Sequence, residues 1–132
     1  MPGSLYKYNS LSIDAHAETF DHVNNEEQLL KSLEAASHVQ QSVFVLGEGT
    51  NIVFPDEVFS RVIRLCSRGI CLLGSSGNEI HIRAHAGENW HQFVVWTIKN
   101  KCYGLENLAL IPGSVGAAPV QNIGAFGVEV SS

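Results

Sequence analysis

The fold is indicated most clearly by Val43-Phe44-Val45-Leu46-Gly47-Glu48-Gly49-Thr50-Asn51. It begins as a continuous apolar run and passes directly into a loop that contains two glycines. A short apolar run of this kind is typical of a strand that is buried on both faces of a sheet. We therefore predict a buried strand over Val43–Leu46 that points straight at the glycine loop.

The residues before this strand predict a second strand and a helix. Residues 18–23 have the composition of a strand, and Asn24 with Glu27 resembles a capping box that opens a helix ending near Ser37. A small βαβ unit is the result. One face of its helix is expected to carry Leu29, Leu30, Leu33 and Ala36.

Beyond Pro55-Asp56 the sequence predicts mainly sheet and then a second helix. Short strands are expected at residues 62–65, 70–73 and 79–86. The helix follows Asn89, with Gly104 as its C-terminal cap residue. Its apolar stripe consists of Trp90, Phe93, Val94, Thr97 and Ile98. The order of elements indicates an α+β fold, with residues 1–56 as a first lobe and 57–132 beginning a second.

Length and charge exclude several classes of protein. A chain of 132 residues fits one ordinary domain. Its formal net charge of -5 does not suit a nucleic-acid phosphate backbone, so nucleic acid is not an expected partner. The sequence has no signal peptide and no apolar run long enough to span a bilayer. We expect a soluble, cytoplasmic protein without a membrane partner.

The cysteines and histidines do not predict a metal site. Cys66, Cys71 and Cys102 form no CxxC pair and are expected to be reduced, buried or half-buried thiols. His81 and His85 share one face of an alternating strand, and a solvated polar face explains them better than a metal, since no third ligand is apparent.

Two segments carry the chemistry. Consecutive backbone N–H groups in the loop Gly47-Glu48-Gly49-Thr50-Asn51 would suit an anionic pyrophosphate. A tight turn whose glycines only serve the backbone is an equal alternative at this point. The run from Ile111 to Gly127 contains small residues that would let backbone groups lie against a flat polar ring, while Gln121 and Asn122 donate and accept at its edge.

Both segments, together with Ala86-Gly87-Glu88-Asn89-Trp90-His91, resemble the UDP-N-acetylenolpyruvoylglucosamine reductase (MurB) family. The run Gly104-Leu105-Glu106-Asn107-Leu108-Ala109-Leu110-Ile111-Pro112-Gly113 is especially close, and the resemblance extends from about Asn9-Ser10 onward. It implies a two-lobed FAD-binding domain of the vanillyl-alcohol-oxidase (PCMH) type, with a small βαβ lobe followed by a mixed or antiparallel sheet lobe. It also implies a cytoplasmic oxidoreductase that uses NADPH to reduce FAD and then converts UDP-N-acetylglucosamine enolpyruvate to UDP-N-acetylmuramate. This step of peptidoglycan precursor synthesis serves cell wall biogenesis, cell shape and cell division.

The resemblance also implies a set of cofactor-binding residues. Those for the FAD pyrophosphate are Gly47, Glu48, Gly49, Thr50 and Asn51, with Ile52 beside them. Those for the flavin and its ribityl chain are Ile111, Pro112, Gly113, Ser114, Gly116, Ala117, Ala118, Gln121, Asn122, Ile123, Gly124 and Ala125. No residue is assigned a catalytic role, because the family's catalytic residues follow the position of Ser132.

Several departures from the family qualify this interpretation. Phe126 stands where relatives often carry Tyr, and Ala117 and Ala118 replace hydroxyl-bearing residues. Each lost hydroxyl would remove a hydrogen bond worth about 0.5–1.5 kcal/mol, which weakens FAD binding without abolishing it. Since the family continues beyond Ser132, we expect the chain to be inactive alone and to self-associate through a sheet edge left uncovered. A non-catalytic binding module with an empty flavin pocket is the alternative function.

Overall fold

The structure, a computed structural model, describes residues 1–54 and 58–131. The chain divides into two compact units, Met1–Ser67 and Arg68–Ser132. The first unit contains strands β1 (Gly3–Ser4), β2 (His16–Val23), β3 (Val43–Leu46) and β4 (Val58–Leu65), with helix α1 (Glu26–His38) between β2 and β3. A short 3-10 turn at Tyr6–Tyr8 follows β1.

The four strands form one sheet in the order β1-β2-β4-β3. β4 is parallel to both β2 and β3, and β1 is antiparallel to β2. The predicted βαβ unit is thus confirmed, with β4 lying between its two strands. Because β4 pairs with strands of the first unit, that unit extends to Ser67, whereas the sequence boundary after residue 56 grouped this strand with the second lobe.

Strand β3 is not buried on both faces, which corrects the prediction. Val43 and Val45 are 37% and 55% exposed, whereas Leu46 is 2% exposed. The reason is that β3 lies at the edge of the sheet. Its other side chains join the apolar core of the unit, in which Leu46 packs with Leu5, Phe54 and Val62.

Helix α1 begins one residue later than the sequence indicated and packs by a different face. Asn25 is the N-cap, and its side chain accepts a hydrogen bond from the Gln28 backbone N–H at 2.9 Å. The buried residues of the helix are Ser32 and Ala36, while Leu30 and Leu33 are exposed. Ser32 is tolerated at the sheet because its hydroxyl bonds to Asp21, and that carboxylate also pairs with Arg61 at 2.7 Å.

The second unit consists of two hairpins and a helix. Strands β5 (Ile70–Ser76) and β6 (Glu79–Ala84) form an antiparallel pair, helix α2 spans Trp90–Lys99, and β7 (Gly124–Ala125) pairs with β8 (Val128–Glu129). Helix α2 buries Trp90, Phe93, Val94 and Thr97, as predicted, but Ile98 is exposed. The chain leaves this helix through Asn100 and Lys101, which has φ +60°, rather than at Gly104.

The thiols and the polar strand face were largely as expected. Cys66 is half-buried and Cys102 buried, but Cys71 is exposed, contrary to the prediction. His81 and Arg83 on β6 are exposed, as expected of a solvated face. Within residues 1–54 and 58–131, no group of three potential ligands is placed to hold a metal ion. None of the helices in these ranges is long and apolar enough to cross a membrane.

Candidate cofactor site

The glycine loop leaves β3 at Gly47 and turns sharply at Gly49. Gly49 is buried and has φ +66°, a left-handed conformation that favours glycine. A Cβ at this position would lie 1.9 Å from the carbonyl oxygen of Tyr8. Only glycine therefore fits here, because both the backbone angle and the neighbouring chain exclude a side chain.

The neighbouring chain is an N-terminal turn, residues 5–13, that sequence reasoning did not connect with the loop. The backbone N–H of Ser10 donates to the carbonyl oxygen of Gly49 at 3.0 Å, and the Ser10 hydroxyl contacts the Thr50 carbonyl oxygen at 3.4 Å. These contacts join residues about forty positions apart, so no local pattern could have revealed them. The one sequence signal in this region is that the family resemblance begins at about Asn9-Ser10.

A buried asparagine holds the N-terminal turn together. The Asn9 amide donates to the carbonyl oxygens of Leu5 at 2.8 Å and Ile13 at 3.1 Å, and its side-chain oxygen accepts from the Ile13 N–H at 2.8 Å. Asn9 is 7% exposed. Because donors and acceptors of this side chain are both engaged, the turn presents Ser10 to the loop in one defined position.

The other predicted residues of the first unit lie along the same loop. Gly47, Glu48 and Thr50 are half-buried, and Asn51 is exposed. Ile52 packs against the apolar core with Phe54, so its side chain anchors the end of the loop. The loop is thus a short, mostly half-buried stretch held between a strand and a core residue.

In the second unit, the predicted flavin segment runs antiparallel to the residues that precede and open α2. The carbonyl oxygen of Gly113 accepts from the Trp90 N–H at 2.9 Å, and the N–H groups of Val115 and Gly116 donate to the carbonyls of Glu88 at 2.8 Å and Ala86 at 2.9 Å. The approach is close, since a Cβ on Gly116 would lie 2.6 Å from the Ala86 Cβ. The two segments that carry the resemblance are thus neighbours in the second unit.

Side chains of the same region hold the two ends of this pairing. The Trp90 indole N–H donates to the Leu108 carbonyl oxygen at 2.8 Å, and the His91 Nδ1 accepts from the Leu110 N–H at 3.1 Å. At the other end, a Glu88 carboxylate oxygen accepts from the Gly69 N–H at 2.6 Å. The chain entering the flavin segment is therefore held against α2, and Glu88 joins the residues before α2 to the chain that enters β5.

The second half of the segment folds into a compact turn. Ala118 is 1% exposed and accepts from the Ile123 N–H at 3.1 Å. Asn122 has φ +45°, and its amide donates to the Glu129 carboxylate at 2.9 Å. Asn122 is consequently oriented by a charged neighbour on β8 rather than by the local turn alone.

The predicted flavin residues differ in their exposure to solvent. Those that are buried in the second unit are Gly113, Ser114 and Ala118. Those that are exposed are Pro112, Asn122 and Gly124. Those between are Ile111, Gly116, Ala117, Gln121, Ile123 and Ala125. Phe126, which departs from the family, is 89% exposed with φ +52°.

The chemistry of these residues fits FAD. No Asp, Glu, Lys or Arg lies between Asn107 and Val128 in the sequence, so a neutral ring would meet no ionised side chain from this segment. Its small residues leave backbone groups near the surface, which suits a flat polar heterocycle. The left-handed Gly49 in the other segment is the backbone geometry found in anion-binding concavities.

Comparison with known proteins places these features in a family. The FAD binding domain family matches residues 17–132. UDP-N-acetylenolpyruvoylglucosamine reductases of Pseudomonas putida and Pseudomonas fluorescens are 43% and 41% identical over 96% of this chain. The enzyme of Salmonella typhimurium is 42% identical over 98% of it. In each case the chain spans only 38% of the relative's length.

A solved structure agrees with these relatives. The crystal structure of UDP-N-acetylenolpyruvylglucosamine reductase (MurB) from Thermus caldophilus matches with a TM-score of 0.73 and 27% identity, over 98% of this chain and 44% of that one. The predicted α+β fold of the vanillyl-alcohol-oxidase (PCMH) type and the predicted cofactor are thereby confirmed. The chain belongs to the FAD binding domain family, with the MurB reductases among its relatives.

Proposed function

We propose that this chain supplies the FAD-binding part of an NADPH-dependent reductase that converts UDP-N-acetylglucosamine enolpyruvate to UDP-N-acetylmuramate. The reaction would take place in the cytoplasm and supply peptidoglycan precursor for the cell wall, and thereby serve cell shape and division. Bound FAD would carry the hydride between NADPH and the enolpyruvyl group. The observation that carries this proposal is that 96% of the chain is 41% and 43% identical to two UDP-N-acetylenolpyruvoylglucosamine reductases.

The residues of this chain would bind and orient the cofactor rather than act on the substrate. The loop 47–52 is proposed to hold the pyrophosphate, and the segment 111–125 is proposed to hold the flavin and ribityl chain. The hydrogen bonds that tie the second segment to residues 86–90 support this role, because a cofactor site must be fixed before the cofactor arrives. We further propose that the isolated chain has no reductase activity.

Cofactor binding is tested by titrating the purified chain with FAD and recording the visible absorption spectrum after desalting. Flavin bands that are perturbed and that elute with the protein are expected. A folded chain that retains no flavin would contradict the proposal and favour the non-catalytic module with an empty pocket.

Activity is tested in a chimera, in which this chain replaces the corresponding residues of the Pseudomonas putida reductase. We expect the chimera to oxidise NADPH only when the enolpyruvyl UDP-sugar is present. The parent enzyme serves as the positive control, and the isolated chain as the control for activity without the remaining segments. A chimera that binds FAD but oxidises no NADPH with this substrate would reject the reductase assignment while leaving cofactor binding intact.

A further inference from the structure

The N-terminal turn, residues 5–13, lies outside the part of the chain that the FAD binding domain family matches, which begins at residue 17. Nevertheless it contacts the glycine loop closely. Tyr8 approaches Gly49 so tightly that a Cβ there would be 1.9 Å from its carbonyl oxygen, and Ser10 bonds to the loop backbone. The loop therefore depends on a segment that the family pattern does not include.

Both contacts from Ser10 engage carbonyl oxygens of the loop, those of Gly49 and Thr50. In a planar trans peptide unit the carbonyl and the following N–H point in opposite directions. The peptide bonds of this loop are trans. Hence the carbonyls that point at Ser10 turn the N–H groups of Thr50 and Asn51 towards the side away from the N-terminal turn.

Two successive N–H groups on one side of a chain next to a left-handed residue form a concavity that binds anionic oxygens. Gly49, with φ +66°, supplies that residue. We propose that Ser10 is a positioning residue for the FAD diphosphate: it holds the Gly49 and Thr50 carbonyls so that the Thr50 and Asn51 N–H groups face the phosphate oxygens. This inference rests on the proposed FAD binding and assigns the N-terminal turn to the cofactor site.

The chain around Ser10 is built to act in this way. Ser10 itself is exposed, so it can be changed without opening the core. Its neighbour Asn9 is buried and holds the turn through three hydrogen bonds to Leu5 and Ile13 at 2.8–3.1 Å. The position of the Ser10 N–H is thus determined by the turn and not by the serine side chain.

The test removes that N–H with Ser10→Pro. Asn9, at φ −146° and ψ 145°, has the extended conformation that a residue before proline requires. We expect FAD and ADP, which both carry a diphosphate, to bind about tenfold more weakly, and riboflavin, which carries none, to bind as before. Ser10→Ala keeps the N–H and should lose about twofold or less, since it gives up only the longer contact. Ser12→Ala, in the same turn, is the matched control.

Unchanged FAD and ADP dissociation constants in a folded Ser10→Pro variant would overturn the proposal. An equal loss for riboflavin would also overturn it, because that result would show a general loss of structure.

A second measurement tests the proposal if the Ser10→Pro variant does not fold. In the unaltered chain, titration with ADP should shift the amide NMR signals of Thr50 and Asn51 more than those of the exposed hairpin residues 74–79. No selective shift would reject the positioning role. If ADP shifts these amides in the unaltered chain but the chain retains no FAD, the loop binds a diphosphate while the proposed FAD binding fails, so the two failures are distinguishable.

Discussion

The two candidate cofactor segments are held in place in different ways. The loop 47–51 is supported by a segment about forty residues earlier, through contacts from Tyr8 and Ser10 to its backbone. The segment 111–118 is supported by residues 86–90, which lie closer in the sequence and pair with it almost as a strand would. The first segment contacts one N-terminal turn, whereas the second is joined to residues 86–90 by three backbone hydrogen bonds, and side-chain bonds from Trp90 and His91 hold the chain just before it.

The two segments should therefore respond differently to substitution. A backbone that approaches a neighbouring chain as closely as Gly49 approaches Tyr8 leaves no room for an added side chain. A paired backbone can lose one bond and remain aligned by the others. A substitution that blocks the close approach in the loop should therefore cost the first unit a large part of its unfolding free energy. A substitution in the second segment should cost the second unit a smaller amount.

The largest effect is expected from Gly49→Ala. The new Cβ would meet the Tyr8 carbonyl at 1.9 Å, and φ +66° disfavours alanine, so we expect the first unit to lose roughly 3–5 kcal/mol of unfolding free energy. Amide hydrogen exchange of β2 and β4 during urea unfolding measures this loss.

Gly77→Ala is the matched control, since φ is +59° but the described chain places no atom within 4 Å of a Cβ there. It should cost the second unit only about 1–2 kcal/mol. Equal costs at the two glycines would show that backbone angle alone explains Gly49, and that the close approach of Tyr8 is unimportant.

A smaller effect is expected from Gly116→Ala in the second unit. Its Cβ would lie 2.6 Å from the Ala86 Cβ, and relieving that overlap should cost about 1–3 kcal/mol. Tryptophan fluorescence reports on this unit alone, because Trp90 and Trp96 both lie in α2. Adding Ala86→Gly should recover part of the loss, and a double variant no more stable than Gly116→Ala would exclude the Ala86 side chain as the cause.

The smallest effect is expected from the helix caps. Asn25 and Asn89 each accept a backbone N–H at the start of a helix, and replacing either by alanine should cost about 1 kcal/mol. Only Asn89→Ala should also speed the amide exchange of Val115 and Gly116, because α2 opens beside their pairing partners. Faster exchange at these amides in Asn25→Ala would contradict the local origin of the effect.

The features predicted from the sequence are those set by near neighbours. The stripe of α2 was correct for Trp90, Phe93, Val94 and Thr97, which share one helical face, but not for Ile98, which is exposed. The bounds of the strand entering the glycine loop were correct because its apolar run is contiguous, although the prediction that it is buried on both faces was wrong. The cofactor segments were identified by resemblance, and their roles towards FAD remain predictions.

The features missed were decided by distant residues. Val43 and Val45 appear suited to a fully buried strand, but β4, which follows later in the chain, takes the central position in the sheet. Ser32 was not expected in a helix interface, and only Asp21 and Arg61 make its burial favourable. The support of the glycine loop by Ser10 likewise depends on a contact across about forty residues.

The central position of β4 has a consequence for synthesis on the ribosome. β2 and β3 each form their parallel pairing with β4, and β4 is made after both. The growing chain must therefore carry an apolar β3 and the glycine loop for as long as it takes to make residues 47–65. Slow translation through this interval would prolong the exposure of apolar strands, while rapid delivery of β4 would close the sheet in one step.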